Sequence, residues 1–156
     1  MKEALFSALG DMSDAVVLDL YAGTGALGIE AISRGAARSV FVESAPLALE
    51  ALKKNIALVG IESETDVLSL SCDRVAPKLV ARGPFDLVFA DPPYAQLAKG
   101  IATLEALGAA GALAPGATIS LEHSSKDKPT LKGFEVTDVR RYGATSITIA
   151  TFSAEI

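Results

Sequence analysis

The chain has 156 residues, 50% of them hydrophobic, which suits one compact domain spanning residues 1–156. No apolar run reaches the roughly 18 residues of a membrane span, and the amino terminus lacks a basic stretch followed by an apolar signal core, so we expect a cytoplasmic protein without membrane partners. A formal net charge of −5 disfavours bulk electrostatic attraction to nucleic acid, which depends on clustered Lys and Arg.

Short β-branched runs alternate with helix-like stretches, a pattern typical of βα units that feed a parallel sheet. Five parallel strands are predicted, at Val16–Tyr21, Ser39–Glu43, Thr65–Leu70, Phe85–Ala90 and Thr118–Glu122. Two more, Phe134–Arg141 and Ser146–Phe152, are joined by a turn too short for a crossover helix, so an antiparallel hairpin at a sheet edge is expected. The predicted fold class is α/β and Rossmann-like, with a seven-stranded, mostly parallel sheet and helices on both faces.

The helices are predicted at Lys2–Leu9, Leu27–Arg34, Pro46–Leu58, Arg74–Ala81 and Gln96–Leu107. Four of these segments are followed by glycines that suit a helix end, namely Gly35, Gly60, Gly83 and Gly108. The segments Gly108–Gly116 and Ser124–Lys132 are predicted to be surface connections.

A glycine-rich loop follows the first strand, with Asp19 ahead of Gly23, Gly25 and Gly28. In a doubly wound sheet the ligand lies beyond the carboxyl ends of the strands, so this loop is a candidate binding element. The glycines allow a tight turn and a close approach to a ligand, although a plain strand-to-helix turn needs glycines too.

Glu43 ends the second strand, where a carboxylate can accept both hydroxyl protons of a ribose or can simply be solvated. The glycine spacing also fits a nicotinamide or flavin dinucleotide. However, the carboxylate of Asp19 would repel a pyrophosphate and attract an ammonium or sulfonium group. These charges favour S-adenosylmethionine, which has no phosphate. Asp73, after the third strand, can accept a hydrogen bond from the adenine amine or cap the helix from Arg74.

The sequence Asp-Pro-Pro-Tyr, Asp91 to Tyr94, follows the fourth strand and therefore enters the same crevice. Pro92 and Pro93 have no N–H groups, which leaves the carbonyls of the turn as acceptors without competing donors. Asp91 and the Pro92 carbonyl can each accept a proton of an exocyclic base amine, while Tyr94 offers a stacking face. Such acceptors stabilise the positive charge that grows on the amine as it attacks a methyl group. An exposed acid in a proline turn is the structural alternative.

The Asp-Pro-Pro-Tyr sequence resembles the amino-methyltransferase motif of class I S-adenosylmethionine-dependent enzymes. A wider set of segments resembles the RsmD family, bacterial methyltransferases that act on N2 of a guanine in small-subunit (16S) ribosomal RNA. These segments are Lys2–Phe6, Leu18–Gly28, Glu30–Ala36, Val42–Glu43, Asn55, Phe85–Tyr94 and Tyr142–Gly143, and they are spread over essentially the whole chain.

The resemblance implies a class I methyltransferase fold and a role for each motif. The methionine part of the cofactor would be held by Asp19 and the loop that contains Tyr21, Ala22, Gly23, Gly25 and Gly28. The ribose would be held by Glu43, and the adenine by Asp73 with its neighbour Cys72. Asp91 would border the cofactor and, with Pro92, Pro93 and Tyr94, hold the target guanine; Asp91, Pro92 and Tyr94 would be catalytic.

The implied partner is small-subunit ribosomal RNA or the assembling subunit, the protein is expected to be a monomer, and no metal is expected, since a single Cys and a single His give no zinc-ligand spacing. Family members usually carry a β-hairpin extension and a basic Arg-Pro-Thr segment before the first helix, which here begins at Lys2; added RNA contacts are expected in such a segment. Three alternatives stay open: an adenine N6 acceptor, an NAD-dependent oxidoreductase using the same loop, and a weakly active cofactor-binding module.

Overall fold

The computed structural model describes residues 2–153, except for the side chain of Arg74. Its strands are β1 (Val16–Leu20), β2 (Arg38–Glu43), β3 (Thr65–Ser69), β4 (Phe85–Ala90), β5 (Leu113–Ser124), β6 (Phe134–Tyr142) and β7 (Thr145–Phe152). They form one sheet in the order β3-β2-β1-β4-β5-β7-β6. The first five strands are parallel, and β7 runs antiparallel to both β5 and β6. The predicted α/β sheet with its antiparallel hairpin is confirmed.

The helices are α1 (Lys2–Leu9), α2 (Ala26–Ser33), α3 (Pro46–Val59), α4 (Ala76–Leu79) and α5 (Leu97–Ala109). Short 3-10 turns lie at Glu62–Glu64, Cys72–Arg74, Val80–Arg82 and Tyr94–Gln96. No helix within residues 2–153 is long and apolar enough to cross a membrane.

The prediction of one helix at Arg74–Ala81 is wrong, because this segment is divided into two 3-10 turns around the four-residue α4. Pro77 explains the division. Its nitrogen cannot donate to the carbonyl four residues earlier, and its ring would collide there, so a helix cannot run through it. The α-helix instead starts afresh with Pro77 in its first turn.

The predictions for Gly108 and for the segment after it are also wrong. Helix α5 continues through Gly108 to Ala109, and β5 begins at Leu113 instead of Thr118. A side-chain Cβ at position 108 would lie 2.6 Å from Cε1 of Phe152, so glycine is needed there to let the helix pack on the sheet. Leu113 pairs with Phe85 across a register shift, which extends the sheet into the expected surface connection.

The two faces of the sheet are covered by different helices. Alternate residues of the central strands face α4 and α5, where the core contains Leu18, Val88, Ile119 and Leu104. The opposite face packs against α1, α2 and α3. Because the strand order reverses between β1 and β4, the crevice predicted for a ligand opens beyond their carboxyl ends.

Candidate active site

A cavity of about 330 Å³ lies in this crevice, large enough for a small ligand. The ends of β1, β2, β3 and β4 all contribute to its wall. Its lining residues are Tyr21, Glu43, Ser44, Ser71, Cys72, Asp91, Pro93 and Gln96. Four residues predicted for cofactor binding, Tyr21, Glu43, Cys72 and Asp91, therefore surround one cavity together with Pro93 of the predicted substrate motif.

The glycine loop closes the cavity at the end of β1. Gly25 is the N-cap of α2 with φ of 85°, a conformation that residues with a side chain seldom adopt. Gly28 lies against Phe41, and a Cβ there would be 2.4 Å from Cε2 of that ring. The backbone conformation at Gly25 and the close packing at Gly28 therefore require glycine even without a ligand. This agrees with the alternative that the glycines serve a plain strand-to-helix turn. Asn55 of α3 fixes the same loop by donating to the Thr24 carbonyl at 3.0 Å.

Asp19 is buried beneath the loop, with 3% of its surface exposed. One carboxylate oxygen accepts the backbone N–H of Gly28 at 2.9 Å. Burial raises the pKa of Asp19 to about 8, and the charges of Asp91 and Glu43 act in the same direction while the Gly28 N–H opposes them. Asp19 therefore supports the loop from below, and a cation bound in the crevice would favour its ionised form.

Glu43 is held in place by three backbone N–H groups. One oxygen accepts from Gly23 at 2.7 Å, and the other accepts from Ser44 at 3.0 Å and Ala45 at 2.9 Å. The glycine loop and the start of α3 are thereby tied to a single carboxylate. Since a carboxylate offers about four lone-pair positions, acceptor capacity remains on the side that faces the cavity.

Tyr21 and Cys72 both line the cavity, and the sequence predicts the adenine beside Cys72. Tyr21 has φ of 57°, an uncommon conformation outside glycine, which explains why β1 ends at Leu20 instead of continuing through Tyr21 as predicted. Cys72 is buried, and burial raises the pKa of its thiol to about 12. The thiol therefore stays protonated, so it lines the cavity and does not act as a nucleophile. Thr103 of α5 donates its hydroxyl to the Cys72 carbonyl at 3.1 Å and fixes this segment.

Asp73 lies in the 3-10 turn Cys72–Arg74, where its carboxylate accepts a hydrogen bond from the Ser71 hydroxyl. The N-cap of α4 is Val75. Asp73 lines a neighbouring cavity of about 590 Å³ between α4 and α5, whose other walls are mainly alanine and proline side chains. Neither Glu43 nor Asp91 lines this larger space, so we locate the chemistry in the smaller cavity.

The Asp-Pro-Pro-Tyr turn directly follows β4, and two of its hydrogen-bond acceptors are unpaired. Much of the surface of Asp91 is exposed to solvent. Its carboxyl group is nevertheless partly desolvated, which raises its pKa. Within the described residues, neither this carboxylate nor the Pro92 carbonyl accepts a hydrogen bond, whereas the Pro93 carbonyl accepts the Gln96 N–H at 2.7 Å. Two unpaired acceptors therefore remain at the place where the motif predicts an amine.

Tyr94 is 57% exposed, but its hydroxyl is hydrogen-bonded to Thr145 Oγ1 at 2.8 Å. Thr145 begins β7, so the bond joins the turn to the carboxyl-terminal hairpin across 51 residues of sequence. The ring is thus held at one end while its surroundings remain open.

Several residues at the site were not anticipated from the sequence. Gly100 of α5 is one, since a Cβ there would lie 2.9 Å from Cγ of Pro92. Glu122, near the end of β5, is another: desolvation and the charge of Asp91 raise its pKa. Its position at a strand end was the available signal. No sequence signal pointed to four further residues, because polar residues near turns are common. These are Ser44, Ser71, Gln96 and Thr145.

The charges of the cavity fit a phosphate-free, positively charged nucleoside. Glu43 and Asp91 line it and Asp19 lies beneath the loop, while no Lys or Arg is found among its described lining residues. A pyrophosphate would meet the carboxylates of Glu43 and Asp91 without a counter-charge, whereas a sulfonium and an ammonium group would be attracted. Asp19, whose pKa is raised to about 8, adds its charge when such a cation favours the ionised form. The residues therefore suit S-adenosylmethionine better than a dinucleotide. Within residues 2–153, no group of three or more His, Cys, Asp or Glu side chains is arranged to hold a metal ion.

Comparisons with known proteins identify the family of this chain. The family model described as Conserved hypothetical protein 95 matches residues 1–151. A Haemophilus influenzae protein named Ribosomal RNA small subunit methyltransferase D is 35% identical over 134 residues, which are 84% of this chain and 68% of that protein. A protein of the same name from Buchnera aphidicola subsp. Acyrthosiphon pisum is 37% identical over 97 residues, 62% of this chain and 50% of that protein. The chain spans about half the length of this relative and of its Escherichia coli counterpart, 50% and 46%.

A solved structure from Streptococcus pyogenes, described as a conserved hypothetical protein, superimposes with a TM-score of 0.91 at 31% identity. The match covers 98% of this chain and 96% of that one. S-adenosylmethionine-dependent methyltransferases of low sequence identity share the sheet, which makes the fold that of the class I methyltransferases. With its family model matched from residue 1 to residue 151, the chain belongs to the Conserved hypothetical protein 95 family and is an RsmD-like protein.

Proposed function

We propose that the chain transfers a methyl group from S-adenosylmethionine to an exocyclic amine in small-subunit ribosomal RNA, and that the acceptor is N2 of a guanine. The observation that carries this proposal is the pair of unpaired acceptors on Asp91 and Pro92, at the edge of a cavity walled by carboxylates. The relatives named Ribosomal RNA small subunit methyltransferase D support the substrate class.

In this proposal the residues around the smaller cavity and Asp73 of the neighbouring cavity each hold one part of the cofactor. Glu43 holds the ribose by accepting one of its hydroxyls, because three backbone N–H groups orient its carboxylate and leave one acceptor position. Asp73 and Cys72 lie beside the place for the adenine. The loop of Tyr21, Ala22, Gly23, Gly25 and Gly28, supported by Asp19, would hold the methionine part. When bound, S-adenosylmethionine supplies an electrophilic methyl group on its sulfonium.

The Asp-Pro-Pro-Tyr turn prepares the acceptor amine. Asp91 and the Pro92 carbonyl each accept one amine hydrogen, which turns the nitrogen lone pair towards the cavity and stabilises its growing positive charge. Tyr94 stacks on the base and Pro93 shapes the wall beside it. The net change forms an N–CH3 bond and breaks one N–H bond and the sulfonium S–CH3 bond, so that the products are the methylated base, S-adenosylhomocysteine and a proton.

The first experiment separates this proposal from the dinucleotide alternative. Thermal unfolding is followed with S-adenosylmethionine, S-adenosylhomocysteine or NADH added in turn. We expect both S-adenosyl compounds to raise the melting temperature and NADH to leave it unchanged. Stabilisation by NADH alone would rule the proposal out.

The second experiment tests the substrate. The protein is incubated with tritiated S-adenosylmethionine and small ribosomal subunits from cells that lack the enzyme, and the modified nucleotide is then mapped. We expect one labelled guanine carrying the methyl group on N2. Label on adenine N6 would correct the acceptor, and normal cofactor binding without transfer to subunits or RNA would favour the weakly active binding module.

A further inference from the structure

Glu122 lies in the same crevice as the Asp-Pro-Pro-Tyr turn, although no cofactor role was assigned to it. In the parallel pair of β4 and β5, Phe89 is in register with Ser120. Side chains alternate along a strand, so Asp91 and Glu122, two residues further on, leave the same face of the sheet at its carboxyl end. Asp19, in register with Phe89 on the other side, belongs to this face as well.

The neighbours of Glu122 along β5 point away from the crevice. Leu121 and His123 are buried on the opposite face, where His123 Nε2 is hydrogen-bonded to Thr148 at 2.7 Å. Glu122 itself is half-buried, and its carboxylate forms no hydrogen bond or ion pair within the described part of the chain. This is unlike Glu43, whose carboxylate is satisfied by three N–H groups. Glu122 and Asp91 are therefore adjacent carboxylates that both lack donors.

We propose that Glu122 is a specificity-determining residue that accepts the N1–H of the target guanine while Asp91 and the Pro92 carbonyl accept the hydrogens of its N2 amine. This inference rests on the proposed function. Guanine offers N1–H and N2–H donors side by side, so its edge matches two neighbouring carboxylates. Adenine has an unprotonated N1 beside its amine, and that nitrogen would face the carboxylate of Glu122 without a proton between them. The site would thus select guanine over adenine by leaving polar groups unpaired in the wrong complex.

The test uses a base that keeps the amine but lacks the N1 proton. Once the acceptor position is mapped, synthetic RNAs carry either guanosine or 2-aminopurine ribonucleoside there. The proteins are the unaltered chain, E122Q, E122A and the control E135Q. Glu135 is an exposed carboxylate on β6, paired with Thr151 at the other end of the sheet. E135Q therefore removes the same charge as E122Q, but at a position away from the crevice.

Two quantities are measured for each protein: kcat/KM for methyl transfer, and Kd for RNA with S-adenosylhomocysteine present and no turnover. We expect E122A, which removes the acceptor, to reduce the preference for guanosine over 2-aminopurine by roughly 10- to 100-fold in both quantities, the range for a lost hydrogen bond to a charged group. E122Q keeps an amide oxygen that can accept the N1–H but loses the charge, so we expect it to reduce the preference by a smaller factor. E135Q should keep the original preference. Because Glu122 has no partner in the fold, both variants are expected to fold, which thermal unfolding will check.

An unchanged preference in E122A would overturn the inference, and so would a weaker melting-temperature shift of E122A with S-adenosylhomocysteine, which would place Glu122 at the cofactor. Failure of the proposed function looks different. In that case subunits and RNA take up no label from the unaltered chain, while the Kd comparison, made with short RNAs that contain a single guanosine or 2-aminopurine ribonucleoside, still decides whether Glu122 distinguishes the two bases.

Discussion

Glu43 and Asp91 are both acidic residues at strand ends, but their surroundings suit them to different tasks. Glu43 is fixed by three backbone N–H groups and can only accept from a ligand in one orientation. Asp91 has no described partner and its pKa is raised by desolvation, so a ligand that brings donors would satisfy it. The first is suited to hold a cofactor and the second to contact the reacting amine.

Replacing Asp91 tests this division of roles. D91N keeps the shape but loses the charge that stabilises the amine in the transition state, so we expect kcat to fall about 10²- to 10³-fold, and D91A to fall at least as far. The melting-temperature shift caused by S-adenosylhomocysteine should be largely kept. D127N, which changes an exposed aspartate in the loop after β5, is the matched control. A fully active D91N would contradict the assigned role.

At the scale of elements, the position of the Asp-Pro-Pro-Tyr turn depends on helix α5. Pro92 is buried against Gly100, which leaves no space for a side chain between helix and turn. The turn is also held from the opposite side by the hairpin, through Tyr94 and Thr145. Two elements distant in sequence thus fix the acceptors of Asp91 and Pro92.

Gly100→Ala should disturb the turn without unfolding the helix. The new Cβ would lie 2.9 Å from Cγ and 3.1 Å from Cβ of Pro92, so the turn must shift. Misplacement of reacting groups by about 1 Å can cost about 100-fold, and we expect kcat/KM for methyl transfer to fall by about 10-fold or more.

Gly108→Ala on the same helix is the control for this variant. Its Cβ would meet Phe152 at 2.6 Å, away from the crevice. We expect this variant to have a lower melting temperature and unchanged kcat/KM. Equal effects of the two variants on kcat/KM would show that Gly100 acts only through stability.

The hydrogen bond between Tyr94 and Thr145 should orient the stacking ring. Y94F and T145V each remove it, and we expect KM for RNA to rise about 3- to 10-fold, corresponding to roughly 1 kcal/mol, with cofactor binding unchanged. The double variant should be no worse than either single one, because only one bond is lost. Additive effects would mean that the two residues act separately. T151V, on the far end of β7, controls for the loss of a threonine hydroxyl.

At the scale of the whole molecule, buried carboxyl groups at the crevice make the stability of the fold depend on pH. Asp19 has a pKa of about 8 in the fold against an ordinary value of 3.8. Between these values the folded protein keeps a proton that the unfolded chain releases, so the stability falls as pH rises. The unfolded chain and the fold are both protonated below this range, and there the stability is fully present.

We therefore expect the free energy of unfolding, measured with urea, to decrease between pH 5.5 and pH 8 by at most about 1.4 kcal/mol per pH unit from this group. D19N keeps an acceptor for the Gly28 N–H and removes the titration, so its profile should be flatter. An equally steep profile in D19N would assign the pH dependence to other groups. Asp91 and Glu122, whose pKa values are also raised, are the first to examine.

Much of the architecture follows from local patterns in the sequence. Alternation of β-branched runs with helical periods predicts the sheet, because each element must bury one apolar face. Gly60 ends α3 with φ of 77°, as its position predicts. Gly108 also follows a predicted helix, yet it lies inside α5. Glycine is needed there because of the contact with Phe152, a residue 44 positions away in the sequence.

The sequence by itself determined the fold class and the residues that stand at strand ends, among them Glu43 and Asp91, because short motifs and the alternation of strands and helices along the chain are local properties. Only the tertiary structure decided that Asp19 lies beneath the glycine loop, that α5 can approach Pro92 only through Gly100, and that Glu122 stands beside Asp91. These relations join residues far apart along the chain. They depend on register and packing distance, which no local pattern specifies.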